Sequence, residues 1–281
     1  MSANTVITID KLLRLIGTPS CPAIVDIRTE EDFQKDPRLI PGSARRSHVD
    51  VAQWGAAFKD RPVVAVCEKG LKLSHGAAAW LRHGGTPSES LEGGTLAWAA
   101  GRHPMVPLAK MPARDSQGRT VWVTRSRPKV DRIACPWLIR RFVDPSAVFL
   151  YVAASEVMGV ADRFSATPFD IDGPGIFWTH RGELCTFDVM VEEFGLAGFE
   201  PLQRLATIVR GADTDRPDLA PQAPGLMAAS LGLSRMFSDD LEQLEAGMLL
   251  YDAFFRWCRD AVDEKHNWTS HTPSKAKAPA K

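Results

Sequence analysis

The feature that most constrains the fold is a cysteine placed between a short apolar segment and a helix-forming segment. The apolar segment is Val63–Val66, Cys67 follows it at once, and residues 74–83 favour a helix. A strand, a tight loop and a helix are therefore predicted in succession. At such a turn the backbone amides and the aligned peptide dipoles of the helix create a positive potential that suits an anion or a thiolate. The same field makes a cysteine sulfur nucleophilic near neutral pH.

Length, charge and cysteine content limit the class of protein. The chain has 281 residues, which suits two domains, each with its own core. Lys plus Arg and Asp plus Glu both total 34, so no global basic field drives nonspecific nucleic-acid binding. The 5 cysteines are scattered and odd in number, which favours reduced thiols over a disulfide framework. With no secretory leader pattern and no membrane-length apolar stretch, we expect a soluble cytoplasmic protein without a membrane partner.

The chain divides into two units by pattern. Residues 7–107 alternate short apolar runs with helical patterns, with strands at Ala23–Asp26 and Val63–Val66, which predicts an α/β domain with a parallel sheet. Residues 108–118 are rich in proline and polar residues and are predicted to be a linker. Residues 119–263 begin with a strand-like segment and continue with mainly helical patterns, which predicts a mainly α-helical (α+β) domain. Residues 264–281 are predicted to be a disordered tail.

The strongest helical pattern begins near Ser238, which is the predicted N-cap. Apolar residues recur there at steps of three and four: Leu241, Leu244, Met248, Tyr251, Phe255, Cys258 and Val262. This spacing favours a helix that faces the core over a partner-binding coiled coil, because the pattern covers only about three heptads.

Four motifs follow one another along the first unit. They are Val25-Asp26-Ile27-Arg28 with Glu31-Asp32-Phe33, then Ile40-Pro41-Gly42-Ser43, then the Cys67 loop, then Leu91-Glu92-Gly93-Gly94 with Trp98 and Gly101. Residues 7–107 therefore resemble a rhodanese-like domain. The resemblance implies that Cys67 accepts a sulfane sulfur as a persulfide and passes it to a thiophilic acceptor. It also implies an anion-binding loop that includes Glu68, Lys69, Gly70, Leu71, Lys72 and Leu73. The loop from Cys67 to Lys72 has six residues, as in the sulfur-transferring members of the family.

Two loop residues depart from that pattern. Lys72 stands where the family often has arginine, so it supplies a point charge without a bidentate fork. Glu68 places a carboxylate beside the sulfur, where it would repel an anionic donor and slow turnover with thiosulfate. Asp26 and Arg28 are predicted to support the site as a structural pair. The alternative is a rhodanese fold kept as a binding or redox module with an inert thiol.

Residues 119–141 carry a local excess of positive charge. The segment contains one acidic residue, Asp131, and seven basic residues: Arg119, Arg125, Arg127, Lys129, Arg132, Arg140 and Arg141. The excess predicts an anion site or a nucleic-acid surface. Pro136 fits a first helical position, so Cys135 is predicted to be an N-cap thiol. The oxyanion or redox candidates are Arg125, Arg127, Arg132, Cys135 and Arg140; the alternative is a small buried cysteine among solvated arginines.

A weaker pattern concerns metal binding in the second unit. His180, Cys185 and Asp188 are ligand types that could converge on a metal ion, or they could serve structural capping, with Thr186 as the cap of a helix. Asp213, Asp215 and Asp218 form an acidic loop that could meet a cation. We favour their pairing with the basic stretch.

Three segments of the second unit carry a further resemblance: the run from Thr124 to Phe142, Cys185-Thr186-Phe187-Asp188 and Arg210-Gly211-Ala212-Asp213. Together they resemble the C-terminal domain of ChrB-type chromate resistance proteins. It implies a part in bacterial chromate resistance, in which ChrB proteins are described as chromate-responsive regulators. Here a rhodanese-like domain replaces the usual N-terminal region, which puts direct transcriptional control in doubt.

Together the two resemblances predict a thiosulfate-type sulfurtransferase linked to chromate resistance through an oxyanion-binding C-terminal domain. The expected partners are a sulfane-sulfur donor, a thiol acceptor and a chromate- or sulfate-like oxyanion. The alternative is a chromate-responsive sensor or regulator whose rhodanese module does not turn over. Three further possibilities are left open by the sequence. The protein could be a regulator that contacts DNA through residues 119–141, it could form a homodimer, and its C-terminal domain could bind a metal ion.

Overall fold

The computed structural model of the protein describes residues 5–264. Its strands are β1 (Val6–Ile7), β2 (Ala23–Asp26), β3 (Arg38–Leu39), β4 (Ser43–Arg45), β5 (Val63–Val66), β6 (Ser88–Leu91), β7 (Val106–Pro107), β8 (Val121–Arg125), β9 (Val148–Val152) and β10 (Thr167–Pro168). Its α-helices are α1 (Ile9–Leu15), α2 (Glu30–Lys35), α3 (Val51–Trp54), α4 (Lys72–His83), α5 (Gly94–Ala100), α6 (Asp131–Leu138), α7 (Val157–Phe164), α8 (Thr186–Glu193), α9 (Glu200–Asp213), α10 (Ala223–Met236) and α11 (Asp240–Asp260). A π-helical turn, Ile139–Val143, extends α6.

A parallel sheet forms the centre of the first unit. Its strands lie in the order β1-β6-β5-β2-β4, and every pairing in it is parallel. The central strands β2 and β5 are buried along their whole length, as expected for apolar strands covered by helices on both faces. Asp26 pairs with Val66 at the ends of these strands, so the residues that follow them lie at one edge of the sheet. The predicted α/β parallel fold is confirmed.

Helices dominate the second unit, as predicted, around a small parallel sheet of order β10-β8-β9. The longest helix, α11, packs against α6, α9 and α10. Its buried face carries Leu244, Met248, Tyr251, Phe255 and Cys258, which confirms a core-facing stripe. Leu241 and Val262, at the two ends of the predicted stripe, are exposed.

The predicted cap of this helix is wrong by one residue. Asp239, and not Ser238, is the N-cap of α11. Its Oδ1 accepts hydrogen bonds of 2.9 Å from the amides of Leu241 and Glu242. A carboxylate at this position both accepts from free amides and interacts favourably with the helix dipole.

The start of α6 also differs from the prediction. The helix begins at Asp131, Pro136 lies inside it, and Cys135 is therefore not an N-cap. A proline in a helix leaves the carbonyl four residues earlier without its donor. Here that carbonyl belongs to Arg132, and the hydroxyl of Tyr151 donates to it at 2.9 Å. A hydrogen bond from β9 thus replaces the one that proline removes.

One cluster of buried apolar side chains runs through both units. It includes Leu12 and Trp98 from the first unit and Trp137 and Phe142 from the second. The backbone joins the units as well, because the amide of Gly42 donates to the carbonyl of Phe142 at 2.6 Å. These contacts correct the expectation of two separate cores.

The predicted domain limits stay a prediction. Within the predicted linker, Leu108–Lys110 forms a 3₁₀ turn, and Lys110 Nζ lies 2.6 Å from Glu193 of α8. The predicted tail lies outside the described residues except for residue 264. Across residues 5–264, no helix combines the length and apolar character needed to cross a bilayer.

The shared core predicts that the two units unfold together. Phe142→Ala should remove about 3–5 kcal/mol of stability, since Phe142 is fully buried where both units meet. Calorimetry should show one unfolding transition, which this variant shifts to lower temperature. Phe164→Ala is the control: Phe164 is 62% exposed, and its loss should cost less than about 0.5 kcal/mol. Two transitions, of which the variant shifts only one, would contradict the shared core.

Candidate functional site

Cys67 follows β5 directly and stands beside the start of α4. The thiol of Cys67 donates to the hydroxyl oxygen of Ser74, with Sγ and Oγ 3.2 Å apart. The hydroxyl of Ser74 in turn donates to the carbonyl of Leu71 at 3.1 Å. The residue is 4% exposed. The sulfur is thus held at the strand-to-helix turn that the sequence predicts, with a hydroxyl that can turn to donate to a thiolate.

The loop after Cys67 packs tightly against the turn that opens α5. The amide of Thr95 donates to the carbonyl of Cys67 at 3.1 Å. Gly70 has φ +66°, and a Cβ there would lie 2.6 Å from the amide nitrogen of Gly94 and 2.7 Å from that of Gly93. Only glycine fits such a backbone conformation and such a close approach. The backbone conformation of the loop is therefore tightly restricted at Gly70.

The backbone amides of this loop are available to a ligand. Within residues 5–264, the amides of residues 68–72 donate to no backbone or side-chain acceptor. They precede α4, a helix of 12 residues whose dipole adds positive potential at this end. Lys72, the first residue of α4, is exposed and forms no ion pair within the described part of the chain. These groups together can stabilise an anion formed at Cys67.

Glu68, the departure from the family pattern, does not face the loop as an isolated charge. Its side chain is 17% exposed. One carboxylate oxygen lies 3.6 Å from Nζ of Lys35, and the other lies 3.9 Å from Nζ of Lys69. The two ammonium groups offset the repulsion that the sequence predicts between this carboxylate and an anionic donor. The remaining loop residues differ in exposure, since Leu71 is exposed and Leu73 is half-buried.

Asp26 and Arg28 form a buried ion pair at the same edge of the sheet. The guanidinium of Arg28 donates to both carboxylate oxygens of Asp26, at distances from 2.5 to 3.1 Å. It also donates to the carbonyls of Asp36 and Arg38. The pair thus links the end of β2 to the backbone at Asp36 and Arg38.

A basic cavity lies beside this edge. It has a volume of about 540 Å³, and Arg45, Arg46 and His48 contribute to its lining. The guanidinium carbon of Arg45 lies 3.7 Å from the ring centroid of Phe33. No residue of the Cys67 loop lines this cavity.

Most arginines of the basic stretch are paired with acids that lie outside residues 119–141. The pairs are Arg119–Asp115, Arg127–Asp240, Arg132–Asp170, Arg140–Glu245 and Arg141–Asp252. Arg125 is exposed and has no acidic partner among the described residues. The local charge excess of the sequence is therefore largely neutralised in three dimensions. Of the oxyanion candidates, Arg125 keeps a free guanidinium.

Cys135 is fully buried inside α6. Burial raises the pKa of its thiol well above the usual value, and the nearby carboxylate of Asp131 raises it further. This placement matches the alternative of a small buried cysteine. It does not place the thiol among arginine side chains.

His180 faces three carboxylates that the sequence does not connect with it. Its Nε2 lies 3.2 Å from Oδ2 of Asp213, 3.5 Å from Oδ1 of Asp170 and 3.7 Å from Oδ2 of Asp131. We call these four side chains the acid–histidine cluster. Ligand atoms of Asp131, Asp170 and His180 lie within 4.8 Å of one another, which is close enough to hold a metal ion. Asp213 thus pairs with His180, which corrects the expected pairing with the basic stretch.

Different elements bring these groups together. Asp131 begins α6, Asp213 ends α9, and Asp170 follows β10. The residue before Asp131 is Val130, whose φ of 33° is unusual for a β-branched side chain and costs about 1–3 kcal/mol. The hydroxyl of Tyr251 on α11 donates to the carbonyl of Val130 at 3.0 Å and helps to hold this conformation.

The cluster perturbs the protonation of its members. Burial raises the pKa of Asp131 well above its usual range, and Asp213 and Asp170 raise it further. Hydrogen bonds to Asp170 and then to Asp213 raise the pKa of His180 to about 10. Without another cation, the imidazole is therefore positively charged at neutral pH.

The three predicted metal ligands, His180, Cys185 and Asp188, do not come together in the fold. Within residues 5–264, His180 does not group with Cys185 and Asp188. Cys185 instead caps α8, in a capping box whose other member is Asp188. The N-cap is thus Cys185 and not Thr186, whose hydroxyl donates to Asp170 at 2.8 Å.

Sequence reasoning identified His180 but missed the roles of Asp131 and Asp170. Asp131 carried one usable signal, since it is the single acid of the basic stretch. Asp170 is separated from its partners by long chain segments, so no local spacing marks it.

Comparison with known families confirms both resemblances. Residues 8–101 match the rhodanese-like domain, and residues 122–258 match the C-terminal domain of ChrB. The protein ChrB of Cupriavidus metallidurans is 38% identical over 144 residues, which cover 50% of this chain and 42% of that protein. The chain thus spans less than half the length of this curated relative.

Solved structures similar to this chain include rhodanese-type proteins. One is a rhodanese-like domain protein of Staphylococcus aureus, which is 26% identical, covers 34% of this chain and 90% of its own, and has a TM-score of 0.30. Another is a rhodanese-related protein of Thermoplasma volcanium, which is 20% identical, covers 36% of this chain and 96% of its own, and has a TM-score of 0.32.

The packing of the Cys67 loop predicts the effect of two glycine substitutions. Gly70→Ala should destabilise the protein by about 1–3 kcal/mol or more, since the new Cβ meets backbone at a positive φ. Gly76→Ala is the matched control: a Cβ at Gly76 meets nothing within 4 Å, and alanine favours the helix by up to about 1 kcal/mol. Urea unfolding measures both. Equal stabilities for the two variants would show that the loop is not constrained as described.

Proposed function

We propose that this chain, which joins a rhodanese-like domain to a ChrB C-terminal domain, is a cytoplasmic sulfurtransferase that carries a persulfide on Cys67 and acts in chromate resistance. The observation that carries the proposal is the position of Cys67. A thiol stands at the start of α4 beside five consecutive amides, those of residues 68–72, that have no acceptor in the described chain.

The first half-reaction breaks one sulfur–sulfur bond and forms another. The Cys67 thiolate attacks the outer sulfur of a donor such as thiosulfate, and sulfite leaves with the electron pair of the broken bond. The enzyme then holds a persulfide anion, which the loop amides and the helix dipole stabilise. Ser74 supplies a hydroxyl 3.2 Å from the sulfur that can donate to the thiolate before attack.

The second half-reaction restores the enzyme. A thiolate acceptor attacks the outer sulfur of the persulfide, and the sulfur–sulfur bond to Cys67 breaks with its electron pair on Cys67. No external oxidant or reductant is needed, because the sulfane sulfur moves without a net change of oxidation state in the enzyme. Lys72 supplies positive charge at the loop for an anionic donor.

The C-terminal domain is the part proposed to link this activity to chromate. Chromate and sulfate are tetrahedral dianions, for which guanidinium groups are suitable partners. Arg125 is the strongest candidate of the predicted set, because the other arginines of that set are held by acids. The proposal for oxyanion binding therefore depends on Arg125 and not on the whole basic stretch.

A second candidate is a chromate-responsive sensor whose rhodanese module does not turn over. The observation that favours it is the 4% exposure of Cys67, which leaves little access for a donor unless the loop opens. In that case Cys67 would report on redox state and the C-terminal domain would bind the oxyanion.

A sulfur adduct separates the two candidates. After treatment with thiosulfate and removal of the excess, intact mass should increase by one sulfur atom, and cyanide should release that atom as thiocyanate. Cys67→Ser should abolish both signals. Cys21→Ser is the matched control and should retain both, because Cys21 lies outside the loop and burial raises its pKa to about 11. No adduct from any sulfane donor, together with stabilisation of the protein by chromate, would favour the sensor and contradict the enzyme.

A further inference from the structure

We infer that the acid–histidine cluster of Asp131, Asp170, His180 and Asp213 is a binding site for a divalent first-row transition metal ion. The three carboxylates approach one imidazole nitrogen, Nε2 of His180, at 3.2 to 3.7 Å. These side chains come from α6, α9 and two loops. Their convergence on one point is a property of the fold and not of neighbouring positions in the chain.

An unpartnered buried oxygen points independently to a ligand. Asp131 is fully buried, and its Oδ1 has no hydrogen-bond partner within the described residues. The other oxygen of the same carboxyl group, Oδ2, accepts from the amide of Phe187 at 3.1 Å and faces His180. A buried carboxylate oxygen without a partner is costly, and a coordinated cation removes that cost.

Further contacts orient the other two carboxylates. Asp170 accepts from the hydroxyl of Thr186 at 2.8 Å, and its second oxygen lies 3.3 Å from Nε of Arg132. Asp213 Oδ1 accepts from the amide of Asp131 at 3.4 Å, which directs Oδ2 towards His180. Metal ligands in proteins are typically held in this way by a surrounding layer of hydrogen bonds.

The donor set indicates the class of metal. Two carboxylates and one imidazole, whose ligand atoms lie within 4.8 Å of one another, supply hard oxygen ligands and one borderline nitrogen ligand, and the carboxylate of Asp213 lies 3.2 Å from the same imidazole nitrogen. Such a donor set suits Mn²⁺, Fe²⁺ or Zn²⁺. A thiolate, which would favour Cu⁺, is not part of the group found within residues 5–264. The histidine disfavours Ca²⁺ and Mg²⁺, which prefer sites made of oxygen ligands.

The cluster is open on one side. The side chain of His180 is 41% exposed, whereas that of Asp131 is fully buried. An ion can therefore enter from the His180 side. A coordination position directed to solvent would remain for water or for a small anionic ligand.

The test uses the full-length protein and the metal ions themselves. After stripping with EDTA, equilibrium dialysis against Mn²⁺ and separately against Zn²⁺ should give one bound ion per chain. Asp213→Asn and His180→Gln should each weaken binding by about tenfold or more, the scale of losses seen at protein metal sites. In the Mn²⁺ complex, pulsed EPR should detect a nitrogen coupling that His180→Gln removes.

Two controls keep the result interpretable. Asp144→Asn changes another buried carboxylate, one whose oxygen accepts from the amide and hydroxyl of Thr120 at 2.7 and 2.8 Å, and should leave the stoichiometry at one ion. Cys67→Ser should also bind normally, so failure of the sulfurtransferase proposal would not affect this result. If the carboxylates only hold a protonated imidazole, wild type will retain no ion, and that outcome would overturn the inference. Equal affinity in wild type, Asp213→Asn and His180→Gln would overturn it as well.

Discussion

The geometry around Cys67 depends on the close approach of two backbone turns. A Cβ at Gly94 would lie 2.6 Å from the carbonyl oxygen of Glu68. A Cβ at Gly70 would likewise lie 2.6 Å from the amide nitrogen of Gly94. Because neither turn can carry a side chain, the loop after β5 is fixed against the start of α5. The amides of residues 68–72 meet no acceptor within residues 5–264, and the Cys67 sulfur lies beside the start of α4. The chemistry proposed for Cys67 follows from that packing.

In the C-terminal domain, side chains from other segments of the chain hold the backbone at the start of α6. Tyr151 donates to the carbonyl that Pro136 leaves free, and Tyr251 donates to the carbonyl of the strained Val130. Gln243 Nε2 adds a bond of 2.6 Å to the carbonyl of Pro128. These bonds set the start of α6 and with it the position of Asp131. The position of the buried carboxylate therefore depends on side chains of β9 and α11.

The sequence predicted best what depends on neighbouring residues. Strands β2 and β5 lie at the predicted residues, and α4 begins two residues before its predicted start, because apolar runs and helix-forming runs are local signals. The resemblances to the rhodanese-like domain and to the ChrB C-terminal domain rest on the same kind of signal, since their motifs are continuous in the chain. The Cys67 turn therefore followed from the sequence alone.

What depended on distant partners could not be predicted. Pro136 normally marks a helix start, and its place inside α6 requires Tyr151, which no local pattern connects with it. The acids that neutralise Arg127 and Arg140 come from α11, so a basic stretch in the sequence became a set of ion pairs in the fold. The sequence marks His180 as a ligand type but does not identify its neighbours, because these come from three separate parts of the chain.

The most direct test of the account is the rate at which each cysteine reacts with iodoacetamide in the folded protein, followed by peptide mapping. Burial raises the pKa of Cys135 and Cys185 well above the usual value and that of Cys258 to about 11, so these thiols should react slowly. We expect Cys67 to be modified first and thiosulfate to slow its modification. If Cys67 instead stays unmodified until the protein unfolds, its sulfur is not accessible to reagents, and the chemistry proposed for Cys67 is wrong.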